Sequence, residues 1–441
     1  MTTVLILGGL GQDATRHLLP YLTSPSSSIS SDLRPVFIRV VDKYLAIPAA
    51  GAYTTYVDAD AREALKTGTE KGTVEYVQGN LLTDATREKA FTLPDKFGGP
   101  DKGFSFVFDM TGEQDFQAPE IVHLERTLRL ALLLGRSAVA HKVGSYVRLL
   151  QPFYKLKDEK KGVKVGDKAA GVSEPWGTLA GWWHEAARGL AKIEGLNLAL
   201  IRPALFYGPY TLSGLTPRAL IGEVYRFQNE KLEFLWAESL PQNTIHSADF
   251  ASACVSAAAW ASKLGSRSSI LATHSEVLPS TLSSSSQVSA LADLGAATKE
   301  DGEIRAAVFN AVDDGETTQK EVAKVIEEVV GVKSGFHGGV ISAFAKLNMT
   351  DVVEDVNDKH LEGWSSLLQA SSPPISSSVP ISPFVPLDLL APNPISFSNA
   401  PLKELTGWAP KHKLDAATVR DTVEKFRKEG NWPNAKPQKK K

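Results

Sequence analysis

Short apolar runs alternate with amphipathic stretches along the N-terminal half of the chain. Thr3 to Gly8 contains the run VLIL, bounded by glycine. Such a run predicts a strand buried on both faces of a parallel sheet. Ala14, Leu18, Leu19 and Leu22 then recur at helical spacing, until a Ser/Pro cluster at 24–31 breaks the pattern. Further strands are predicted at Val36–Val41, Val74–Val77, Phe104–Phe108, Ser145–Leu150 and Leu198–Ile201. An amphipathic stretch, Pro119–Ala140, and a helix, Leu179–Ile193, separate the later ones. Strands alternating with helices predict an α/β fold: a Rossmann-like, doubly wound parallel sheet.

Beyond Arg202 the rhythm loosens. Thr216–Phe227 and Ala248–Ala261 carry helical patterns, and Val308–Asp314 reads as a strand entering a turn. In the helix that follows, Val322, Val325, Ile326 and Val329 share one face, and Gly331 is a stop signal. A last helix is predicted over Asp415–Glu429. The Ser-rich segment 265–302 lacks a dense apolar pattern and reads as a flexible insertion; 371–394, rich in Ser and Pro, reads as coil. The division predicted is a Rossmann-like domain over 1–205, with strands also contributed from later residues, a smaller C-terminal part over 206–430 that holds both Ser-rich segments, and a basic tail over 431–441.

The first turn carries candidate chemistry. Gly8-Gly9-Leu10-Gly11-Gln12-Asp13-Ala14 joins the first strand to the first helix. Gly8 permits a tight turn, Gly11 lets the backbone approach a pyrophosphate, and a small residue at 14 lets helix and strand pack closely. The helix N-terminus presents free N–H groups to phosphate. Asp42 closes the second strand, where a carboxylate accepts both ribose hydroxyls of an adenosine and repels a 2′-phosphate, which favours NAD over NADP. The candidate cofactor set is Gly8, Gly9, Gly11, Gln12, Asp13, Asp42, Asn80, Leu81 and Thr111.

Composition narrows the classes. Charge is nearly balanced, at net −2, so no broad basic face for nucleic acid follows. A single cysteine, Cys254, excludes an internal disulfide and a cysteine-based zinc cluster, and fits a reducing, cytoplasmic home. No apolar stretch is long enough for a membrane helix, and no histidine pair has convincing metal-ligand spacing.

The segments VLILGGLG, VVD, YVQGNLLTD and ALIRPALFYGPY, followed by NTIHSADFASA, VFNAVDDGETTQKEV and NAPLKELTGWAPKHKL, together resemble the extended short-chain dehydrogenase/reductase superfamily in its NAD-dependent epimerase/dehydratase branch. The resemblance implies a Rossmann-like cofactor half, a smaller substrate half, and action on a nucleotide sugar or another hydroxyl or carbonyl compound. It also implies pairing of two helices between subunits of a homodimer, where Arg126, Leu130, Leu133 and Leu134 form an apolar stripe.

The chain departs from that family at the catalytic centre. Redox members carry Ser or Thr at the end of strand five and Tyr-x-x-x-Lys on the next helix; here Leu149 and Leu150 replace the hydroxyl. Gly177 with Gly181, or Leu179 with Trp183, stand at the spacing of the Tyr and Lys. Remaining acid/base candidates are Tyr154, Thr111, His184 and Glu185, with Tyr154 the best placed by sequence. Two functions stay open: an enzyme with replacement catalytic groups, or a cofactor-binding sensor or scaffold without oxidoreductase activity.

Overall fold

The computed structural model describes residues 1–46, 55–158, 161–282 and 284–438. These residues divide into two compact units: Met1–Pro203, Ala248–Ala311 and Phe397–Ala409 in the first, and Ala204–Ser247, Val312–Ser396 and Pro410–Lys441 in the second. The first unit thus ends its N-terminal part close to the expected boundary at 205 and takes in later segments as well. The chain leaves the first unit after Pro203 and returns to it twice, because Arg305–Ala311 pairs directly with Leu198–Pro203.

The first unit is built on an eight-stranded sheet. Its strands are β1 (Thr2–Leu7), β2 (Pro35–Asp42), β3 (Val74–Gln78), β4 (Phe106–Asp109), β5 (Ser145–Leu149), β6 (Leu198–Pro203), β7 (Glu276–Val277) and β8 (Arg305–Ala311). Their order is β7-β8-β6-β5-β4-β1-β2-β3. All pairings are parallel except that of edge strand β7 with β8. The order reverses at β1, between β2 and β4; ligands of doubly wound sheets bind at such a switch point. β1 pairs on both sides and all six of its residues are buried, which explains its unbroken apolar run.

Helix α1 (Asp13–Thr23) and helix α2 (Thr178–Lys192) matter most for the site. From Leu179 to Ala191 every residue of α2 is buried, so Trp182 and Trp183 are packing groups. The stripe assigned to a subunit contact is also used inside this unit: Leu134 is buried and Arg126 and Leu130 turn to a cleft.

Segment 265–302 is not a featureless insertion. It forms a helix at Arg267–Thr273, strand β7, and a helix at Ser285–Asp293 that starts with a Ser284/Gln287 capping box. Its few apolar residues are anchors: Ile270, Leu278 and Leu291 are buried. Sparse anchoring of this kind leaves no periodic signal in the sequence.

In the second unit, the helix Gln319–Val330 buries Val322 and Ile326 beside Ile221, Leu232 and Val385, and stops at Gly331 with φ +80°. The segment 371–394 contributes Val385 to that core and a short helix at Leu387–Leu390. The tail is anchored at its start: Trp432 is buried and its Nε1–H donates to Glu223 at 3.0 Å. The last residues of the basic block, 439–441, lie outside the described residues.

Candidate functional site

At the carboxyl ends of β1, β2 and β4 the first unit opens a cleft of ≈ 560 Å³. Gly8, Gly11, Gln12, Asp42, Asn80, Leu81 and Thr111 line it, which brings together seven of the nine cofactor candidates. The turn is held by the N–H groups of Gly8 and Gly9, both donating to the carbonyl of Val41. Gly8 has φ +106°, and a Cβ there would come within 3.0 Å of the Met110 backbone. Gly11 is different: its φ is ordinary, and a Cβ would meet the Thr55 side chain, which also borders the cleft.

Helix α1 begins at this turn, and its N-cap, Gln12, makes no side-chain cap. The first N–H groups of an α-helix lack intrahelical partners, so this terminus is suited to an anion. Asp42 is only 7% exposed, and burial pushes its carboxyl up, with the N–H groups of Tyr44 and Lys43 and the Lys43 charge opposing. Across the cleft stands Arg126, half exposed and paired with Glu113 at 2.9 Å. Burial pushes the Glu113 carboxyl up, but the N–H groups of Asp115 and Gln114 and the Arg126 guanidinium outweigh it and hold Glu113 below its ordinary value. An uncapped helix terminus, a glycine cradle and a strand-end carboxylate fit a dinucleotide.

Two candidates do not line the cleft. Gly9 serves the packing of Asp42, whose carboxylate occupies the place of a side chain there. Asp13 turns to Arg16, at 2.6 Å, which also binds Asp58 at 2.9 Å. That pairing neutralises a carboxylate that would otherwise oppose a phosphate at the helix start.

The catalytic candidate Tyr154 is also corrected. It is fully buried, with no free hydroxyl to offer a substrate. Its hydroxyl donates to His184 Nδ1 at 3.1 Å, and the opposite ring nitrogen meets the Pro279 carbonyl at 2.7 Å. The Arg202 guanidinium stacks 4.1 Å from the Tyr154 ring centroid. Burial raises the Tyr154 phenol well above its ordinary value. Glu185 is engaged as well: it accepts from Thr281 and pairs with Arg188 at 2.5 Å. Burial lowers the His184 imidazole to about 4, with Glu185 opposing and Arg188 and Arg202 assisting.

The His184 shift carries a prediction. Between about pH 6.5 and 4 the unfolded chain takes up a proton at this position and the folded chain does not. Its contribution is thus fully present above pH 6.5 and is lost as pH falls toward 4, on the order of 3 kcal/mol. Denaturant midpoints measured across that range should fall in the parent and fall less steeply in His184→Gln. Equal slopes in the two proteins would show that His184 is not held neutral.

Where a catalytic constellation would stand, α2 offers neither a tyrosine nor an early lysine. Pairs four apart at its start are Trp176/Ala180, Gly177/Gly181, Thr178/Trp182 and Leu179/Trp183. Behind the cleft wall formed by Thr111–Glu113 lies a closed polar cluster. Arg148, fully buried, pairs with Asp109 at 2.8 Å and donates to Thr111 Oγ1 at 3.1 Å. Tyr146 donates to the other Asp109 oxygen at 2.6 Å. Trp183 lies over the guanidinium at 4.5 Å and donates from Nε1 to the Glu113 carbonyl. Thr111 is therefore held by Asp109 and Arg148 at the cleft's inner edge.

Sequence reasoning missed Tyr44, Thr55, Gly112, Glu113, Gln114 and Leu130 as lining residues. Glu113 and Gln114 had a readable signal, since they lie in the loop after strand β4, within five residues of its end. Arg126 had none, because it arrives from a distant helix.

The fold has many solved counterparts. UDP-glucose 4-epimerase from Thermotoga maritima, solved with UDP-glucose, matches with a TM-score of 0.53 at 15% identity over 97% of this chain and 99% of its own. A double mutant of DesIV, a dTDP-glucose 4,6-dehydratase from Streptomyces venezuelae, solved with NAD, matches with a TM-score of 0.54 at 14% identity over 98% and 99%. A UDP-glucuronic acid 4-epimerase from Bacillus cereus, solved with NAD, gives 0.53 at 10% identity over 97% and 100%. The chain has the fold of the extended short-chain dehydrogenase/reductases. No protein-family model matches the sequence, and no curated protein sequence matches it either. Among the described residues no helix is long and apolar enough to cross a membrane, and no group of metal-ligating side chains forms a metal site.

Proposed function

We propose that this chain binds NAD in the switch-point cleft, as an epimerase/dehydratase-type protein whose ligand beyond the cofactor is a nucleotide sugar or another hydroxyl or carbonyl compound. The observation that carries the reading is the convergence of the uncapped α1 terminus, Gly11 and Asp42 on one cleft. Gln12 and the first N–H groups of α1 would hold the pyrophosphate, and Asp42 the adenosine ribose. Asn80 and Leu81 would border the adenine, and Thr111 the inner half of the dinucleotide. When bound, NAD supplies a hydride acceptor. The solved counterparts that hold NAD or NADH support the same assignment.

A second reading is favoured by a specific observation. The cluster behind Thr111 is filled by Arg148 and Trp183, and α2 presents no Tyr–Lys pair. Loss of a positioned acid/base costs about 10²- to 10⁴-fold in rate. The chain then acts as a dinucleotide sensor or scaffold without oxidoreductase activity.

Thermal-shift titration of the purified protein with NAD, NADH, NADP and NADPH tests binding. Failure of every dinucleotide to stabilise the protein overturns the cofactor reading. Hydride-transfer assays with UDP-glucose and a carbonyl panel then separate the two functions, since turnover at ordinary family rates excludes the sensor.

Cofactor choice turns on Asp42. In Asp42→Ser the ribose acceptor and the negative charge that repels a 2′-phosphate are both gone. The Kd ratio of NADP to NAD should fall by about tenfold, the equivalent of 1.4 kcal/mol. An unchanged ratio would mean that Asp42 does not face the ribose.

A further inference from the structure

Between β7 and β8 the chain makes an excursion, 279–303, that the cofactor reading does not use. Its two ends meet. The Leu278 N–H donates to the Ile304 carbonyl at 2.9 Å, so the antiparallel pairing of β7 with β8 is already in place where the excursion leaves and where it returns. Strands paired in this way need only a tight turn between them. The extra length has another role.

The excursion lies over the outer face of α2. Its residues Leu291, Ala296 and Ala297 are buried, and a Cβ on Gly189 of α2 would come within 3.8 Å of the Ala296 Cβ. Polar side chains of α2 turn to its backbone. Glu185 Oε1 accepts from the N–H and the hydroxyl of Thr281 at 2.9 and 3.0 Å. Arg188 donates to the carbonyls of Leu278, Ala297 and Thr298 at 3.1, 3.1 and 3.2 Å. Lys192 pairs with Asp301 at 2.7 Å. Two more tethers come from the stretch before α2: Arg136 donates to the Leu294 carbonyl at 3.2 Å, and Gln287 donates to Glu120.

A helix that covers one face of a sheet ordinarily keeps a polar stripe in water. Between Leu179 and Ala191 α2 keeps none, and its charged pair, Glu185 and Arg188, is only 0% and 1% exposed. Charges are buried where they are paired and hydrogen-bonded, and here the excursion supplies those bonds.

We propose that 279–303 is an intramolecular strap occupying the face on which α2 would otherwise meet a second copy of the chain, and that the protein is a monomer for this reason. The face beneath the strap suits a second copy. Glu185 and Arg188 lie one turn apart with opposite charge, so two α2 helices packed antiparallel about a two-fold axis would set each Glu185 against the partner's Arg188. With the strap in place both side chains are engaged within one chain. No strap residue borders the cofactor cleft, so the inference is independent of the NAD assignment.

Light scattering during gel filtration of the full-length protein is expected to give the mass of one chain over a wide range of concentration. Replacing 280–302 by an Asn-Gly turn removes the strap and keeps the β7–β8 pairing. That variant should approach twice the mass of one chain as concentration rises, with circular dichroism as the check on folding. Should it fail to fold, Glu185→Gln with Arg188→Met decides. The pair removes both charges together, so neither is stranded, and takes away the donor to three carbonyls of the strap and its root. Hydrogen exchange of the backbone amides in 284–302 should then quicken by about tenfold or more, while those of β1 and β4 keep their protection. A parent that dimerises overturns the proposal. So does a folded strapless variant that stays a monomer at every concentration, and so does unchanged exchange in the strap of the double variant.

Discussion

Gly11→Val is expected to weaken NAD binding by about a hundredfold, or roughly 2.7 kcal/mol at 1.4 kcal/mol per decade. A β-branched side chain would stand where the turn comes closest to a bound pyrophosphate, between the α1 terminus and Thr55. The protein itself should still fold. Gly11 has an ordinary φ, and its first steric neighbour is the Thr55 side chain and not backbone. Gly8→Val is the contrasting variant. It forces a β-branched residue to φ +106° with Met110 backbone at 3.0 Å, so it should damage the fold along with binding. The measurement is a dinucleotide titration of each variant beside its denaturation curve. Parent-like affinity in a folded Gly11→Val protein would reduce the turn to a structural element and remove the cofactor assignment.

The second large effect concerns stability. Asp109→Ala removes the partner of two fully buried groups, the Arg148 guanidinium and the Tyr146 hydroxyl. Arg148 Nε and Nη2 already lack hydrogen-bond partners, so no other anion takes over the charge. Breaking a buried pair on one side costs about 3–5 kcal/mol. Replacing both partners by apolar groups is often nearly neutral. Asp109→Ala should therefore be strongly destabilised, and Asp109→Ala with Arg148→Met should recover much of the loss. Urea unfolding of the two proteins measures the difference. If the double variant is no more stable than the single one, the cost lies in the lost Tyr146 bond and the emptied space, not in the stranded guanidinium.

This cluster also bears on function. A site that performs hydride chemistry needs a group of suitable pKa within reach of substrate. Here the groups nearest the inner cleft are committed to each other: Thr111 to Asp109 and Arg148, Tyr146 to Asp109, Trp183 to the Glu113 carbonyl. Tyr154 is committed to His184 in the core. Each of these bonds would have to break before its donor could serve a substrate, which is why the sensor reading carries weight.

The local sequence determined the layered α/β fold and the place of the glycine turn at its switch point. An uninterrupted apolar strand such as Val4–Leu7 is buried on both faces in the middle of a sheet, and the glycines that follow it mark the tight turn into the first helix. Asp42 was legible for the same reason, since a carboxylate ending a buried strand must face the strand ends. The helix at Gln319–Val330 and its stop at Gly331 followed from periodicity within one segment. What tertiary structure alone decided are the partners of side chains far apart in sequence. Asp13 looked like a cofactor residue until Arg16, itself held by Asp58, claimed it, and Tyr154 looked free until α2 brought His184 against its hydroxyl. Arg126 reached the cleft from a helix whose stripe reads equally well as a subunit contact. Periodicity and turn chemistry act over a few residues, whereas burial, pairing and pKa depend on what the folded chain packs against each group.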